Sequence, residues 1–348
     1  MTTRNELAET YMRRAIHLSK KGYPAPNPHV GCVIVRDGEI VGEGHITPSF
    51  AGGPHAEIAA LTAAGERARG ADLYVTLEPC DHFGRTPPCS RAIIAAGVRS
   101  VTIACEDPNP QAAGGAKRLQ QAGITVVTGL LREEAAMENR QFLHAMHAKR
   151  PWVVAKAACS LDGRIALPSG ESKWITGDVA RREGHRLRAE CGAVLVGRKT
   201  VELDDPQLTA RLKGVVNQPL RVVLDPHGKL AASHKVFDGS AETLHITSKT
   251  FGDPPGTISL PRLLDHLFER GLTGLLLEGG ASTLGNFFRE QLVDRLELFV
   301  ANKVLGAGPS WIEGLQLPDL RHTEMLASVK WRKAGADMWI SADVAAMP

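Results

Sequence analysis

The chain is poor in aromatic residues, which make up 5% of its 348 positions, and it carries almost no excess charge, with 41 Lys and Arg against 38 Asp and Glu. A surface that grips a nucleic-acid backbone needs a basic excess, and one that stacks unpaired bases needs aromatics, so no nucleic-acid partner is expected. Long apolar runs are missing as well. No stretch is long enough to span a bilayer, and the opening MTTRNELAETYMRRAI is charged and amphipathic with no apolar signal core. The chain is therefore expected in the cytoplasm and away from membranes. There is no low-complexity tract, no repeat of roughly 20–50 residues and no GxGxxG behind a strand, which leaves solenoid and Rossmann readings without support.

What is present is an ordinary globular composition, 43% apolar and 23% charged, over a length that suits two domains. In the first half helical and strand signals alternate. Leu7, Tyr11, Ala15 and Leu18 recur at helical spacing, and that helix stops near Gly22 and Pro24. HVGCVIVRDGEIVGEG reads as a hairpin turning at Asp37-Gly38. A helix from about His55 to Ala64 follows, then strand DLYVTL, helix Ser90 to Ala96, strand SVTIACE, helix Ala116 to Ala122 and strand ITVVTG. This order predicts an α/β/α layered domain around one sheet. LREEAAMENRQFLHAMHAKR reads as one charged helix that Pro151 ends, and the boundary is placed there, giving domains 1–147 and 148–348. The second half restarts the pattern, with PWVVAKAACSL, AVLVG, LRVVLD, GLLLEGG and RLELFVANKVL as strands and helices between them, a second α/β domain.

Six cysteines in a reducing compartment are expected as thiols. Two of them stand directly behind prolines in PCDHFGRTPPC, at Cys80 and Cys89, shortly after PHAE at residues 54–57. His55, Cys80 and Cys89 make three protein ligands for Zn²⁺, which leaves the fourth tetrahedral position to water and marks a catalytic site. Both cysteines lie near helix starts, where the macrodipole favours thiolate. Zinc lowers the pKa of its water toward ~7, and Glu57 is then the general acid and base rather than a ligand. Taken singly, an HxE on a helix is usually solvated and free cysteines are usually small core residues. Their joint occurrence favours the metal. Cys32, Cys105, Cys159 and Cys191 lie in or beside strands and read as core filling.

In the second half, LLLEGGASTLGNFF places two glycines between a strand and a helix start, the arrangement that lets backbone approach a phosphate. Lys156 interrupts an otherwise apolar strand. Burying an unpaired ammonium there costs several kcal/mol, so a facing anion or hydroxylated sugar is expected. Arg181, Arg182, Arg186 and Arg188 read mostly as an exposed helical face, with one of them open to meeting a phosphate. The paired Asp204-Asp205 reads as a cap of the next turn.

The HxE…PC pattern resembles that of zinc deaminases, but the second cysteine follows the first by nine residues instead of three. PCDHFGRTPPC, GGPHAE and APNPHVG, followed in order by KAACSLDGRIA, SGESKWIT, RREGHRLRA, VGRKTVELDDPQLTAR and EGGASTLGNFF, resemble the RibD family over nearly the whole chain. That resemblance implies a cytidine-deaminase-like first domain and a dihydrofolate-reductase-like second domain. It also implies two reactions on small pyrimidine ribotides. The first is zinc-dependent hydrolytic deamination of 2,5-diamino-6-(5-phosphoribosylamino)pyrimidin-4(3H)-one. The second is NADPH-dependent reduction of the ribosyl group of 5-amino-6-(5-phosphoribosylamino)uracil to ribityl.

Carried over motif by motif, Asn27 and His82 would meet the pyrimidine, and Gly84 and Thr86 match the same loop. Ala158, Trp174, Thr200, Asp204, Asp225 and the run Gly280, Ala281, Ser282, Thr283, Leu284, Gly285, Asn286 would line NADPH. Ser172, Arg188, Leu208, Arg211 and Glu278 would hold the phosphorylated sugar, with Lys156 near its ribose. The chain departs from the family at Asp81, where Ser or Thr is usual. Family members usually assemble as dimers or larger. Two rival readings are a deaminase of free nucleosides or tRNA, and a non-catalytic binding protein with structural zinc. Glu57 and the three-ligand count speak against the second, since structural zinc has four protein ligands.

Overall fold

Two units, Met1–His147 and Ala148–Pro348, make up the chain in a computed structural model that describes residues 4–46, 53–83, 87–323 and 326–344. Gly84 and Thr86 lie outside the described residues.

The first unit runs α1 (Arg4–Ser19), β1 (Gly31–Arg36), β2 (Glu39–His45), α2 (Ala56–Ala64), β3 (Asp72–Leu77), α3 (Cys89–Ala96), β4 (Ser100–Cys105), α4 (Gly115–Gln121), β5 (Thr125–Thr128), α5 (Arg132–Glu138) and α6 (Arg140–Ala148). Its sheet has the order β2-β1-β3-β4-β5, antiparallel around β1 and parallel from β3 to β5. Asp37 and Gly38 both take positive φ, 52° and 83°, the geometry of a two-residue hairpin turn. Helices cover both faces because glycines let them close in. A Cβ on Gly31 would meet the Ala15 carbonyl of α1 at 1.9 Å, and one on Gly44 would meet the Ala56 carbonyl of α2 at 2.1 Å. Gly44 pairs with Cys32 and Gly31 with His45, so the two glycines open opposite faces. The seating of α2 on β2 fixes where His55 and Glu57 stand.

The second unit runs β6 (Trp152–Cys159), α7 (Asp178–Cys191), β7 (Ala193–Gly197), α8 (Arg198–Asp204), β8 (Leu220–Leu224), β9 (Thr243–Ile246), α9 (Leu260–Glu269), β10 (Gly274–Leu277), α10 (Ala281–Arg289), β11 (Arg295–Val300), β12 (Leu326–Ala334) and β13 (Asp337–Val344). The eight strands are ordered β12-β13-β11-β6-β10-β7-β8-β9, parallel from β11 to β9 and antiparallel at β13 and β12. Alternation along each strand feeds two cores. Val153, Ala155, Leu195, Leu275 and Leu277 pack with α9 and α10, while Val154, Val194, Val196 and Leu276 pack with α7 and α8. Burial on both faces is why these strands read as continuous apolar runs.

The structure adds an edge strand, β9, that the sequence reading leaves out, and departs from that reading in three further places. The helix expected over residues 131–150 is broken at Asn139, which is 2% exposed. Its side chain accepts from the His29 N–H and donates to the His29 carbonyl, both at 2.7 Å, and a partner so distant in sequence leaves no local signal. The hairpin β12–β13 went unforeseen because β12 is exposed at every residue but Ala334, so no alternation marks it. The arginines of α7 are also not a solvated face. Arg186 is sandwiched between Glu183 and Glu190, Arg188 is turned into the unit, and of the four only Arg182 is exposed. Among the described residues no helix is long and apolar enough to cross a membrane.

Candidate active sites

In the first unit the strand end at Leu77 is tied down by the buried carboxylate of Glu78. It accepts backbone N–H groups of Asp107 (3.2 Å), Gly114 (3.2 Å) and Ala116 (2.9 Å). Gly115 admits the Pro79 carbonyl so closely that a Cβ there would meet it at 1.8 Å. These contacts hold Cys80 beside the first residue of α3, Cys89, whose N–H points at the Cys80 Sγ (3.4 Å). His55, in extended conformation just before α2, brings Nδ1 to 3.2 Å from the Cys89 Sγ and 3.6 Å from the Cys80 Sγ. The three donor atoms lie within 4.8 Å of one another. One imidazole nitrogen and two sulfurs at such spacing fit Zn²⁺, with a fourth position left over.

The thiols titrate as a pair. The hydrogen bond from Cys89 holds the Cys80 thiol well below its ordinary range, while the same bond and burial push Cys89 above it. The first proton therefore leaves readily, and a divalent cation is what would displace the second. Glu57 is 4% exposed, and burial raises its carboxyl to about 7. A carboxyl that titrates near neutrality beside an open coordination position is suited to carrying protons.

Asp81 accepts from the Ser90 hydroxyl (2.6 Å) and from the Arg118 guanidinium, and its N–H donates to the Ala112 carbonyl (2.9 Å). The residue that departs from the family pattern thus ties the Cys80 loop to α3 and α4. His82 is exposed on that loop, and Asn27 is exposed in the turn after Pro24. Cys32 is fully buried, and burial followed by the charge of Glu57 pushes its thiol well up. It and the other three cysteines beside strands are buried and in no disulfide.

The second unit carries a cavity of about 650 Å³ at the C-terminal ends of β6, β7 and β10. Crevices beyond the carboxyl ends of parallel strands are where such sheets bind ligands. Of the residues singled out in the sequence, Lys156, Ala158, Ser172, Trp174, Arg188, Thr200, Asp204, Leu208, Arg211, Glu278, Gly280 and Leu284 line it. Ala281, Ser282, Thr283, Gly285 and Asn286 are not among the lining residues. Thr283 Oγ1 sits against Gly197, and Gly285 lies so close to the Glu313 carbonyl that a Cβ would meet it at 1.6 Å. Asp225 also lies off the cavity. It is fully buried and accepts from the Leu230 N–H (2.9 Å) and His245 (3.0 Å).

Glu278 is the centre of charge. Arg188 reaches it with two bonds, 2.6 and 2.9 Å, and the Lys156 ammonium is 3.8 Å away. Burial alone would raise its carboxyl, but Arg188 and then Lys156 outweigh burial and hold it at about 2. Lys156 does not stand unpaired, so the anion expected opposite it is in the first place Glu278. Arg211, with Arg188 and Lys156, leaves the wall with more cationic than anionic groups. Burial and Arg188 hold the Arg211 guanidinium below its ordinary range, as expected for two cations converging on one space.

Four further residues stand on the same wall: His185, Gln207 and Trp311, which the sequence does not single out, and Arg181, which reads there as part of an exposed face. Helical spacing offered a signal for two of them, since Arg181, His185 and Arg188 fall on one face of α7. The sequence reading also overlooked Arg221, fully buried, which donates to the carbonyls of Gln207 (3.2 Å) and Ala241 (2.6 Å) and to Asp238 (2.9 Å). These bonds brace the segment in which Leu208 takes a left-handed φ of 57°. Such a backbone costs roughly 1–3 kcal/mol in a non-glycine residue. An arginine inside the apolar strand LRVVLD was the available sign, of the same kind as Lys156.

Comparison with known proteins bears on both units. Residues 5–105 match the cytidine and deoxycytidylate deaminase zinc-binding region, and residues 151–340 match the RibD C-terminal domain. Riboflavin biosynthesis protein RibD of Aquifex aeolicus is 43% identical over 344 residues, 94% of each chain. Among solved structures, Acinetobacter baumannii RibD superposes with a TM-score of 0.90 at 38% identity, over 99% of this chain and 100% of that one. A diaminohydroxyphosphoribosylaminopyrimidine deaminase/5-amino-6-(5-phosphoribosylamino)uracil reductase from Thermotoga maritima gives 0.86 at 37%, with the same coverage.

Proposed function

The chain belongs to the RibD family and is a bifunctional deaminase and reductase of riboflavin synthesis, and on that premise we propose how its two sites divide the work. The first site hydrolyses the amino group from 2,5-diamino-6-(5-phosphoribosylamino)pyrimidin-4(3H)-one. The second reduces the ribosyl group of the resulting 5-amino-6-(5-phosphoribosylamino)uracil to ribityl. The observation that carries the first assignment is the convergence of His55, Cys80 and Cys89 beside a buried Glu57.

Bound by these three side chains, one Zn²⁺ per site would acidify a water at its open position. Glu57 holds its carboxyl out of bulk solvent, takes one proton from the attacking water and gives it to the ring nitrogen, then takes a second from the added hydroxyl and gives it to the amino group, which departs as ammonia while the carbonyl forms. Asn27 and His82 orient the pyrimidine.

In the second site NADPH supplies hydride to C1 of the sugar when bound, with Ala158, Trp174, Thr200, Asp204 and Gly280 against it. Arg188 and Arg211 hold the substrate's phosphate, which a guanidinium meets with two parallel bonds. Glu278 keeps Arg188 and Lys156 aimed into the cavity, and Lys156 reaches the ribose hydroxyls. Assembly as a dimer or larger, a cytoplasmic place and preference for NADPH belong to the same proposal.

The phosphate assignment is tested by Arg211→Ala. A charge-assisted bond contributes roughly 1.5–3 kcal/mol, so KM for the phosphorylated substrate is expected to rise about tenfold or more while KM for NADPH stays near the native value. Equal rises for both would remove Arg211 from the phosphate site.

A further inference from the structure

His185 on the cavity wall has no part in that division of labour. It precedes Arg188 by three residues on α7, and its Nδ1 lies 3.1 Å from the Thr209 carbonyl and 3.4 Å from the Arg211 backbone nitrogen. The two contacts make opposite demands on Nδ1, a lone pair for the Arg211 N–H and a proton for the Thr209 carbonyl, and the shorter one favours the protonated nitrogen, because a carbonyl only accepts. In the neutral ring, Nε2 is then a bare acceptor, and in the charged ring it becomes a second donor. The charged groups that line this cavity with His185 are Arg181 and Arg188 from α7, Lys173 before it, Asp204 and Asp205 at the end of α8, Arg211 beyond it, Lys156 from β6, Lys235 after β8 and Glu278 after β10. Cations outnumber carboxylates, and each carboxylate already has a partner: Glu278 has Arg188, Asp204 has Lys173 and Asp205 has Lys235. Burial, then Arg188 and Arg211, hold the imidazole below its ordinary range, so the ring is neutral at pH 7 in the free site. A phosphate dianion arriving between these arginines reverses the local field.

We propose that His185 is a third ligand of the substrate's phosphate and takes a proton from solvent as that phosphate binds. Nε2–H then donates to a phosphate oxygen while Nδ1–H keeps its hold on Thr209. The proposal rests on the reading of Arg188 and Arg211 as phosphate partners. Its sign follows from linkage. The imidazole's pKa in the complex lies above that in the free site, so the contact is complete below the free value and is lost as pH rises through the bound one. Affinity for the phosphorylated sugar therefore weakens as pH rises from the free value through the bound one.

The test is the reductase step of the zinc-containing full chain, with KM for 5-amino-6-(5-phosphoribosylamino)uracil measured between about pH 6.5 and 9. The expected native profile rises about tenfold, the size of one charge-assisted bond. In His185→Gln the profile is flat at the upper level, with kcat and KM for NADPH near native. Calorimetric titration of the unsubstituted protein at pH 7.5, without NADPH, in buffers of different ionisation enthalpy should show net proton uptake that His185→Gln lacks. A flat native profile, or uptake unchanged in the variant, overturns the proposal. Arg211→Ala run in parallel separates the two readings. If it binds the ribotide as the native chain does, the phosphate site itself is misplaced; if it weakens binding while His185→Gln changes nothing, only the role of His185 falls.

Discussion

Glu57→Gln should lose ammonia release by roughly 10²–10⁴-fold, the usual contribution of a positioned proton carrier, and still purify with about one zinc per chain. The amide is nearly the same size as the carboxyl, and the three ligand side chains remain where they are. Only the group that carries protons is gone. Cys89→Ser makes the opposite change, because it removes one of two sulfurs from a three-donor set, and zinc content should fall with activity. Ammonia release and metal content measured on the same preparations separate the two roles. Full deamination by Glu57→Gln, or full zinc in Cys89→Ser, would contradict the assignment.

Glu278→Gln is expected to destabilise the second unit by about 3–5 kcal/mol, because it leaves two buried cations without their counter-charge. The Glu278 side chain is 11% exposed and Arg188 14%, so water can compensate little. All five tryptophans, Trp152, Trp174, Trp311, Trp331 and Trp339, lie in this unit, so their fluorescence during denaturation follows it alone. The native chain should show the same interaction in its pH dependence. The folded carboxyl is held at about 2 against an ordinary 4.5. Its contribution is therefore complete above pH 4.5 and is lost as pH falls toward 2. At 1.36 kcal/mol per unit of pKa this amounts to about 3 kcal/mol. A variant as stable as the native chain at pH 7 would show that the cluster contributes nothing to folding. Reduction should be lost in the same variant, since Arg188 and Lys156 are no longer held in place.

Why some of this could be read from the sequence and some could not has physical reasons. The parallel strands of the second unit were legible because strands buried on both faces, such as Gly274–Leu277, must be apolar at every position. The Asp37-Gly38 turn was legible because its backbone demands positive φ. The metal cluster was legible as a pattern, since a proline precedes each of Cys80 and Cys89, a helix starts at Cys89, and the residue types admit few chemistries. What could not be read depends on partners distant in the chain. Asn139 breaks a helix through a bond to His29, and β12 has almost no buried face to imprint a period. Arg188 looked like one more charge on an arginine-rich helix until Glu278, ninety positions away, was placed opposite it. Asp81 was recognisable as a departure from the family, but its bonds to Ser90 and Arg118 were not.

The central claim is that one chain carries out both steps, with the first feeding the second. The most direct test supplies the purified chain with zinc, NADPH and 2,5-diamino-6-(5-phosphoribosylamino)pyrimidin-4(3H)-one, and follows ammonia release and NADPH oxidation separately. Both should proceed, with oxidation lagging behind ammonia. Oxidation without ammonia release, or neither signal from a folded, zinc-replete sample, would contradict it.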